Sequence, residues 1–190
     1  TAPPALIAGT AQVGPMSRPM KAEEIDEFEK KYGYKPSVVR VAVDGLAVYV
    51  STDNPIEKLT LQQVDSIFSK TRKRAGKDAK TWGDLGLTGD WAARPISLYG
   101  RNSASGTYGF FKEHVLENRD FADRLQALPG TSAVVNAVSK DPNGIGYGGA
   151  AYAKGVKEVP LKQDEKSAAV APSLASVSDG SYALSRYLFF

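Results

Sequence analysis

The sequence predicts an α/β fold. Helical and strand-like periodicities alternate along the chain, and glycines and prolines punctuate the changes of period. A chain of 190 residues with 42% hydrophobic content can also bury a sizeable core. No apolar run approaches the roughly 20 residues needed to span a bilayer, so the composition fits a soluble domain.

The elements follow in order. Thr1-Ala2-Pro3-Pro4 leads into an apolar stretch too short for a secretory signal, so any targeting segment is expected to have been removed or to lie outside this sequence. Ala22 to Tyr32 reads as a helix with Ile25, Phe28 and Tyr32 on one face and Gly33 as its stop. Val38 to Val50 is strand-like, but Asp44-Gly45 in its middle normally marks a tight hairpin. Thr60 and Gln63 form a capping box that opens a helix to Phe68, with Leu61, Val64, Ile67 and Phe68 inward. Ile96 to Tyr99 alternates as a short strand, which Gly100 is expected to break. Phe121 to Leu128 and Ser132 to Ser139 read as short helices separated by Pro129-Gly130. Asp141-Pro142-Asn143-Gly144 is a turn, and Ile145 to Tyr152 is a glycine-rich strand.

The segment Arg101-Asn102-Ser103-Ala104-Ser105-Gly106-Thr107 stands at a strand-loop-helix junction, because Tyr108, Phe111, Val115 and Leu116 recur at helical spacing after it. Ser105 occupies the N-cap position, and Gly106 lets a ligand approach first-turn N–H groups that lack intrahelical partners. An anion there meets the positive end of the helix dipole. Arg101 offers a two-pronged, charge-assisted interaction, and Ser105 and Thr107 offer hydroxyl donors. Each bond to a charged partner contributes about 1.5–3 kcal/mol, so a handful supports micromolar or tighter binding. The alternative from the same letters is a plain helix cap beside a solvated arginine.

Charge and composition narrow the function classes. A net charge of +3 does not demand a polyanionic partner. Lys70, Arg72, Lys73, Arg74, Lys77 and Lys80 cluster in a stretch without apolar periodicity, expected to be an exposed, mobile loop. It has no interleaved aromatics, so no nucleic-acid partner is expected. The absence of cysteine fits an oxidising compartment. Catalysis finds little support. His114 is the single histidine and lies inside the helix after the Arg101 loop, no Gly-x-Ser-x-Gly elbow surrounds Ser103 or Ser105, no His/Cys/carboxylate set has metal-ligand spacing, and the Gly-Ser-Thr loop lacks a Walker lysine. The chain is expected not to be an enzyme, with phosphatase chemistry the least favoured reading, and to need neither cofactor nor metal.

The run RNSASGTYGFFKEHVL resembles the phosphate-contact segment of periplasmic phosphate-binding proteins, the solute receptors of phosphate ABC transporters. Its signature is an arginine, then Ser-Gly-Thr four residues on, opening a helix with paired aromatics. Four further segments resemble the same family in the same order. Val13 to Met20 is similar to its second contact loop, and Val43 to Val50 to the crossing strand between lobes. Leu59 to Phe68, followed by Thr81 to Gly86, is similar to the next helix and tryptophan turn. Pro142 to Tyr147 is similar to the return strand.

The resemblance implies a type II periplasmic binding protein-like fold, with two lobes of mixed sheets joined by two crossing strands and the ligand in the cleft between them. It places lobe two at 44–149 and pieces of lobe one at 1–43 and 150–190, with Asp44-Gly45 inside the crossing strand rather than a hairpin. The two crossing strands would act as a hinge. The implied ligand is inorganic phosphate, held by Arg101, Ser105, Gly106 and Thr107, closed by Ser17 and Arg18, and oriented by Asn102 and Ser103 behind the loop. Asp44 is an implied acceptor for protonated phosphate; the alternative is a hinge aspartate paired with an arginine or the backbone. The implied partner is the membrane permease of a phosphate ABC transporter, and the implied place is the periplasm, cell surface or medium. A secreted or adhesive phosphate-binding role on the same scaffold is the alternative. Family members carry further lobe-one elements before Thr1 and after Phe190, so lobe one is expected to be incomplete here. Sheet edges left open in this way invite a homodimer or strand exchange.

Overall fold

The computed structural model describes residues 2–74 and 76–190; Thr1, the first residue of the opening segment, lies outside them. The helices in chain order are α1 (Ala2–Ala8), α2 (Ala22–Tyr32), α3 (Leu61–Phe68), α4 (Gly106–His114), α5 (Thr131–Lys140) and α6 (Leu174–Ser178). The strands are β1 (Arg40–Val50), β2 (Leu59–Thr60), β3 (Ser97–Arg101), β4 (Gln126–Leu128), β5 (Gly144–Gly149), β6 (Lys157–Glu158), β7 (Leu161–Lys162) and β8 (Ser185–Phe189). The chain divides into two compact units, one of Thr1–Asp44 with Arg186–Phe190, the other of Gly45–Ser185. β1 carries the chain out of the first unit and β8 carries it back.

The first unit is built on α1, α2 and the outer halves of β1 and β8. α2 has Glu23 and Glu24 in its first turn and Lys30 and Lys31 in its last, both favourable to the helix dipole. Gly33 closes it at φ +78°, a left-handed conformation that glycine adopts without strain. The same helix satisfies the last carbonyls of α1, since Lys31 Nζ donates to Ile7 O at 2.7 Å and Tyr32 Oη donates to the same oxygen at 3.2 Å. Phe28 is buried against Tyr32 and Tyr34. β8 is held on one side by Met16, in reciprocal 2.8 Å bonds with Phe189, and on the other by Val39, which exchanges bonds with Phe190.

The second unit is organised by a mixed sheet in the order β4-β3-β5-β1-β6. β3 is parallel to both β4 and β5, and β5 is antiparallel to β1. Leu46 to Val50 are all fully buried because this stretch of β1 is covered on both faces. Alternate residues serve different cores: Leu46, Val48 and Val50 join the large cluster with α3 and α4, while Ala47 and Tyr49 join Val134, Val135 and Val138 of α5. β5 shows the same alternation. Ile145 and Tyr147 enter the large core, while Gly146 and Gly148 face α5, where a Cβ would come within 2.7 Å of Val134 and 2.5 Å of Thr131. The glycines let α5 lie close against the sheet, and this fixes where the helix begins.

β1 runs unbroken through Asp44-Gly45, as the resemblance implied and against the hairpin signal of that dipeptide, and Gly45 is small because a Cβ there would lie 2.6 Å from Val177 Cγ2. Other sequence-based expectations are corrected. Gly100 does not end β3 but lies within it, beneath the Tyr147 ring. Phe121 to Leu128 is not a helix. Phe121 bridges Ser69, Ala122 N–H donates to Phe68 O, and Gln126–Leu128 becomes β4, because these backbone groups find partners on neighbouring segments. Residues 150–185, assigned to the first lobe by resemblance, pack in the second unit, where Val159, Leu161, Tyr182 and Leu184 are buried in its large core. The basic stretch from Lys70 is tied down rather than loose. Lys70 pairs with Asp123, Arg72 with Asp78, and Lys73 with Glu117, while Arg74 donates to the Val115 and His114 carbonyls at the end of α4.

Candidate functional site

Parallel pairing of β3 and β4 sets Arg101 opposite Leu128, so both strands end at one edge of the sheet. α4 starts five residues after Arg101, and α5 starts three residues after Leu128. Two helix N-termini therefore open beside the carboxyl ends of parallel strands, where α/β sheets characteristically bind ligands.

The loop between β3 and α4 is held by its own main chain. Asn102 N–H donates to Leu128 O at 3.2 Å, and Ser105 N–H donates to Asn102 O at 3.1 Å. Orientation of the loop thus comes from the Asn102 backbone, while Asn102 and Ser103 are exposed. Ser105 is the N-cap of α4, its Oγ accepting from Thr107 N–H at 3.1 Å. The Ser105 hydroxyl proton stays available for an outside acceptor. Gly106 is exposed and Thr107 half-buried at the first turn.

Arg101 is the charged member of the group. Its Nη1 donates to Thr131 Oγ1 at 2.8 Å, and its backbone N–H donates to Tyr147 Oη at 3.3 Å. Burial pushes the Tyr147 phenol well above its ordinary value, so it stays a neutral hydroxyl at all physiological pH. Among the described residues Arg101 forms no ion pair, and its buried Nε has no hydrogen-bond partner. Leaving a buried donor unpaired costs about 1–3 kcal/mol, and more when the group is charged. Arg18, Arg72, Arg74, Arg124 and Arg186 all have carboxylates within ion-pair distance. The half-buried Arg101 cation is therefore a local excess of positive charge beside two helix N-termini. Chemically the arrangement accepts an oxyanion. His114 contributes nothing to it: its Nδ1 lies 3.1 Å from Phe110 O one turn back, and its ring stacks on Phe110.

The first-unit candidates have partners of their own. Arg18 makes a two-pronged pair with Glu24, at 2.8 and 2.7 Å, and the Arg18 guanidinium holds the Glu24 carboxyl below the ordinary carboxylate range. Ser17 sits in the bend after the Met16 bridge. Asp44 Oδ2 accepts from Arg186 Nε at 3.1 Å and Nη2 at 2.9 Å, the pairing with an arginine that sequence reasoning kept as its alternative.

The structure holds Arg101, Ser105, Gly106 and Thr107 on one strand-loop-helix junction, where sequence reasoning expected them, and it brings Thr131 and Tyr147 to Arg101 and starts α5 at Gly130, residues that sequence reasoning did not single out. Gly130 is the N-cap of α5 and supplies no side-chain cap, so that helix start is open. A legible signal existed. Gly130-Thr131-Ser132 before an amphipathic run repeats the glycine-hydroxyl entry of Ser105-Gly106-Thr107. Tyr147 had no such signal, because its role follows from a strand pairing distant in sequence.

Residues 2–190 match the family model of the PBP superfamily domain. The chain is 56% identical over 191 residues to a protein of Pseudomonas aeruginosa named phosphate-binding protein PstS, covering 100% of this chain and 59% of that one. It is 37% identical to a protein of the same name from Staphylococcus epidermidis, covering 96% of this chain and 54% of that one. The chain thus spans little more than half the length of these relatives. Among solved structures it is similar to a substrate-binding protein assigned to a phosphate ABC transporter, from Clostridium perfringens, determined with bound phosphate. The TM-score is 0.76 at 26% identity, covering 99% of this chain and 68% of that one.

Proposed function

We propose that this chain, which belongs to the PBP superfamily, binds inorganic phosphate at the Arg101 loop and forms part of the solute receptor of a phosphate ABC transporter. The observation that carries the reading is the Arg101 guanidinium, half-buried, without an ion-pair partner among the described residues, beside the serine-capped start of α4 and the open start of α5. Phosphate supplies the missing countercharge. Arg101 would neutralise it, Ser105 and Thr107 would donate from their hydroxyls, and the first-turn backbone of α4 would contribute its N–H groups and dipole. The names of the relatives supply the transport context, and all are names of binding proteins rather than of enzymes.

Of the first-unit candidates, Arg18 and Asp44 would each have to leave an ion pair before meeting an anion, so the reading rests on the second unit. No helix among the described residues is long and apolar enough to cross a membrane. We place the protein outside the cytoplasmic membrane, in the periplasm or at the cell surface, with the transporter's permease as its partner.

Arg101→Ala tests the reading. Loss of several charge-assisted bonds predicts a fall in phosphate affinity of more than about tenfold. Equilibrium dialysis with radiolabelled phosphate measures it, and an affinity equal to that of the unmodified chain would remove this loop from the site.

A further inference from the structure

We infer that Thr131 is a positioning residue for phosphate recognition, holding the Arg101 guanidinium in its binding orientation before the anion arrives; the inference rests on the phosphate reading above. A long arginine side chain at the end of a strand has many rotamers, and binding is weakened if they must be frozen at the moment of capture. Here one is already selected. Nη1 donates to Thr131 Oγ1 at 2.8 Å, and Thr131 is only 9% exposed.

The threonine is itself fixed. A Cβ built on Gly148 would lie 2.5 Å from Thr131 Cγ2, so the Thr131 methyl sits on bare strand backbone. With the methyl seated on the sheet, Oγ1 turns to Arg101. The bare backbone at Gly148 thus sets the threonine rotamer, and the threonine sets the guanidinium. The bond occupies one edge of the guanidinium, and the side chain makes no other hydrogen bond among the described residues. The remaining Nη hydrogens make no hydrogen bond among the described residues and can be offered to an oxyanion, while Nε is buried. Thr131 also begins α5, whose N-cap Gly130 has no side chain to compete for the same groups.

Two substitutions separate this role from simple helix stability. Thr131→Val keeps the shape but puts a methyl where the acceptor was. Thr131→Ser keeps the acceptor. In the ligand-free protein, 15N NMR of the Arg101 guanidinium reports rotation about its Nε–Cζ bond. Rotation should be slow in the unmodified chain and in Thr131→Ser, and fast in Thr131→Val, with far-UV circular dichroism unchanged. Calorimetric titration with inorganic phosphate should then show Thr131→Val weaker by about tenfold and Thr131→Ser close to the unmodified chain. Guanidinium rotation unaffected by Thr131→Val overturns the inference, as does freed rotation with unchanged phosphate affinity. An unmodified chain that takes no phosphate sinks the underlying reading, while the NMR result still decides whether Thr131 holds Arg101.

Discussion

Replacing Gly146 with alanine puts a methyl carbon where the packing of α5 on the sheet leaves no room. The new Cβ would lie 2.7 Å from Val134 Cγ1, 2.9 Å from Val138 Cγ2 and 3.1 Å from the Tyr99 carbonyl oxygen. Val134 and Val138 are fully buried, and β-branched side chains in a helix have essentially one rotamer, so neither can swing aside. Relief requires α5 or β5 to move as a body. Overpacking of this kind costs about 1–3 kcal/mol. With a urea slope of about 2 kcal/mol per molar, a loss of about 2 kcal/mol lowers the unfolding midpoint by roughly 1 M. Gly109→Ala is the matched control. Gly109 lies in α4, and the added carbon meets nothing within 4 Å beyond its chain neighbours and its own helix backbone, so removing a helix-interior glycine should raise stability by roughly 0.5–1 kcal/mol. Urea unfolding followed by circular dichroism measures both. A midpoint for Gly146→Ala at or above that of the unmodified chain would refute the account of why β5 carries its glycines.

Two further substitutions probe local devices. Thr60→Ala removes the cap of α3, in which Thr60 Oγ1 accepts from Gln63 N–H at 3.1 Å while Gln63 Oε1 accepts from Thr60 N–H at 2.9 Å, and should cost roughly 1 kcal/mol in the same unfolding assay. Burial holds the Asp65 carboxyl above its ordinary value, so the folded state binds its proton more tightly than the unfolded chain does. The ionised group therefore costs stability at neutral pH, and the cost vanishes as pH falls below the unfolded pKa. Asp65→Asn keeps an acceptor for the Arg74 N–H, now 3.0 Å from Oδ2. It should match or exceed the unmodified chain in stability at about pH 8 and lose that advantage near about pH 4, as denaturant midpoints across pH will show.

Legibility from sequence followed the range of the interactions. α2 and α3 were readable to within a residue because their signals are local: a period of apolar residues, a left-handed Gly33, and the Thr60–Gln63 capping box. The Arg101 loop was readable for the same reason, since an arginine, a capping serine and a glycine lie within six residues. At Asp44-Gly45 the local letters signal a hairpin and only the resemblance gave the continuous strand, because the glycine answers to Val177 across the packing, without a positive φ. Failures came where a distant segment decided the outcome. Phe121 to Leu128 has helical letters, yet the Phe68 carbonyl and the free edge of β3 take its backbone bonds. Thr131 reaches Arg101 only through β5, whose glycines bring α5 down onto the sheet. The boundary at residue 150 was misplaced because Val159 and Leu161 pair and bury against strands a hundred residues earlier.

Phosphate binding by this chain is tested most directly by calorimetric titration of the 190-residue protein, exhaustively freed of phosphate, with phosphate and with sulfate in parallel. The account predicts saturable one-to-one binding of phosphate, and the sulfate titration shows whether donors alone discriminate between the two anions. A protein that takes up no phosphate would contradict it.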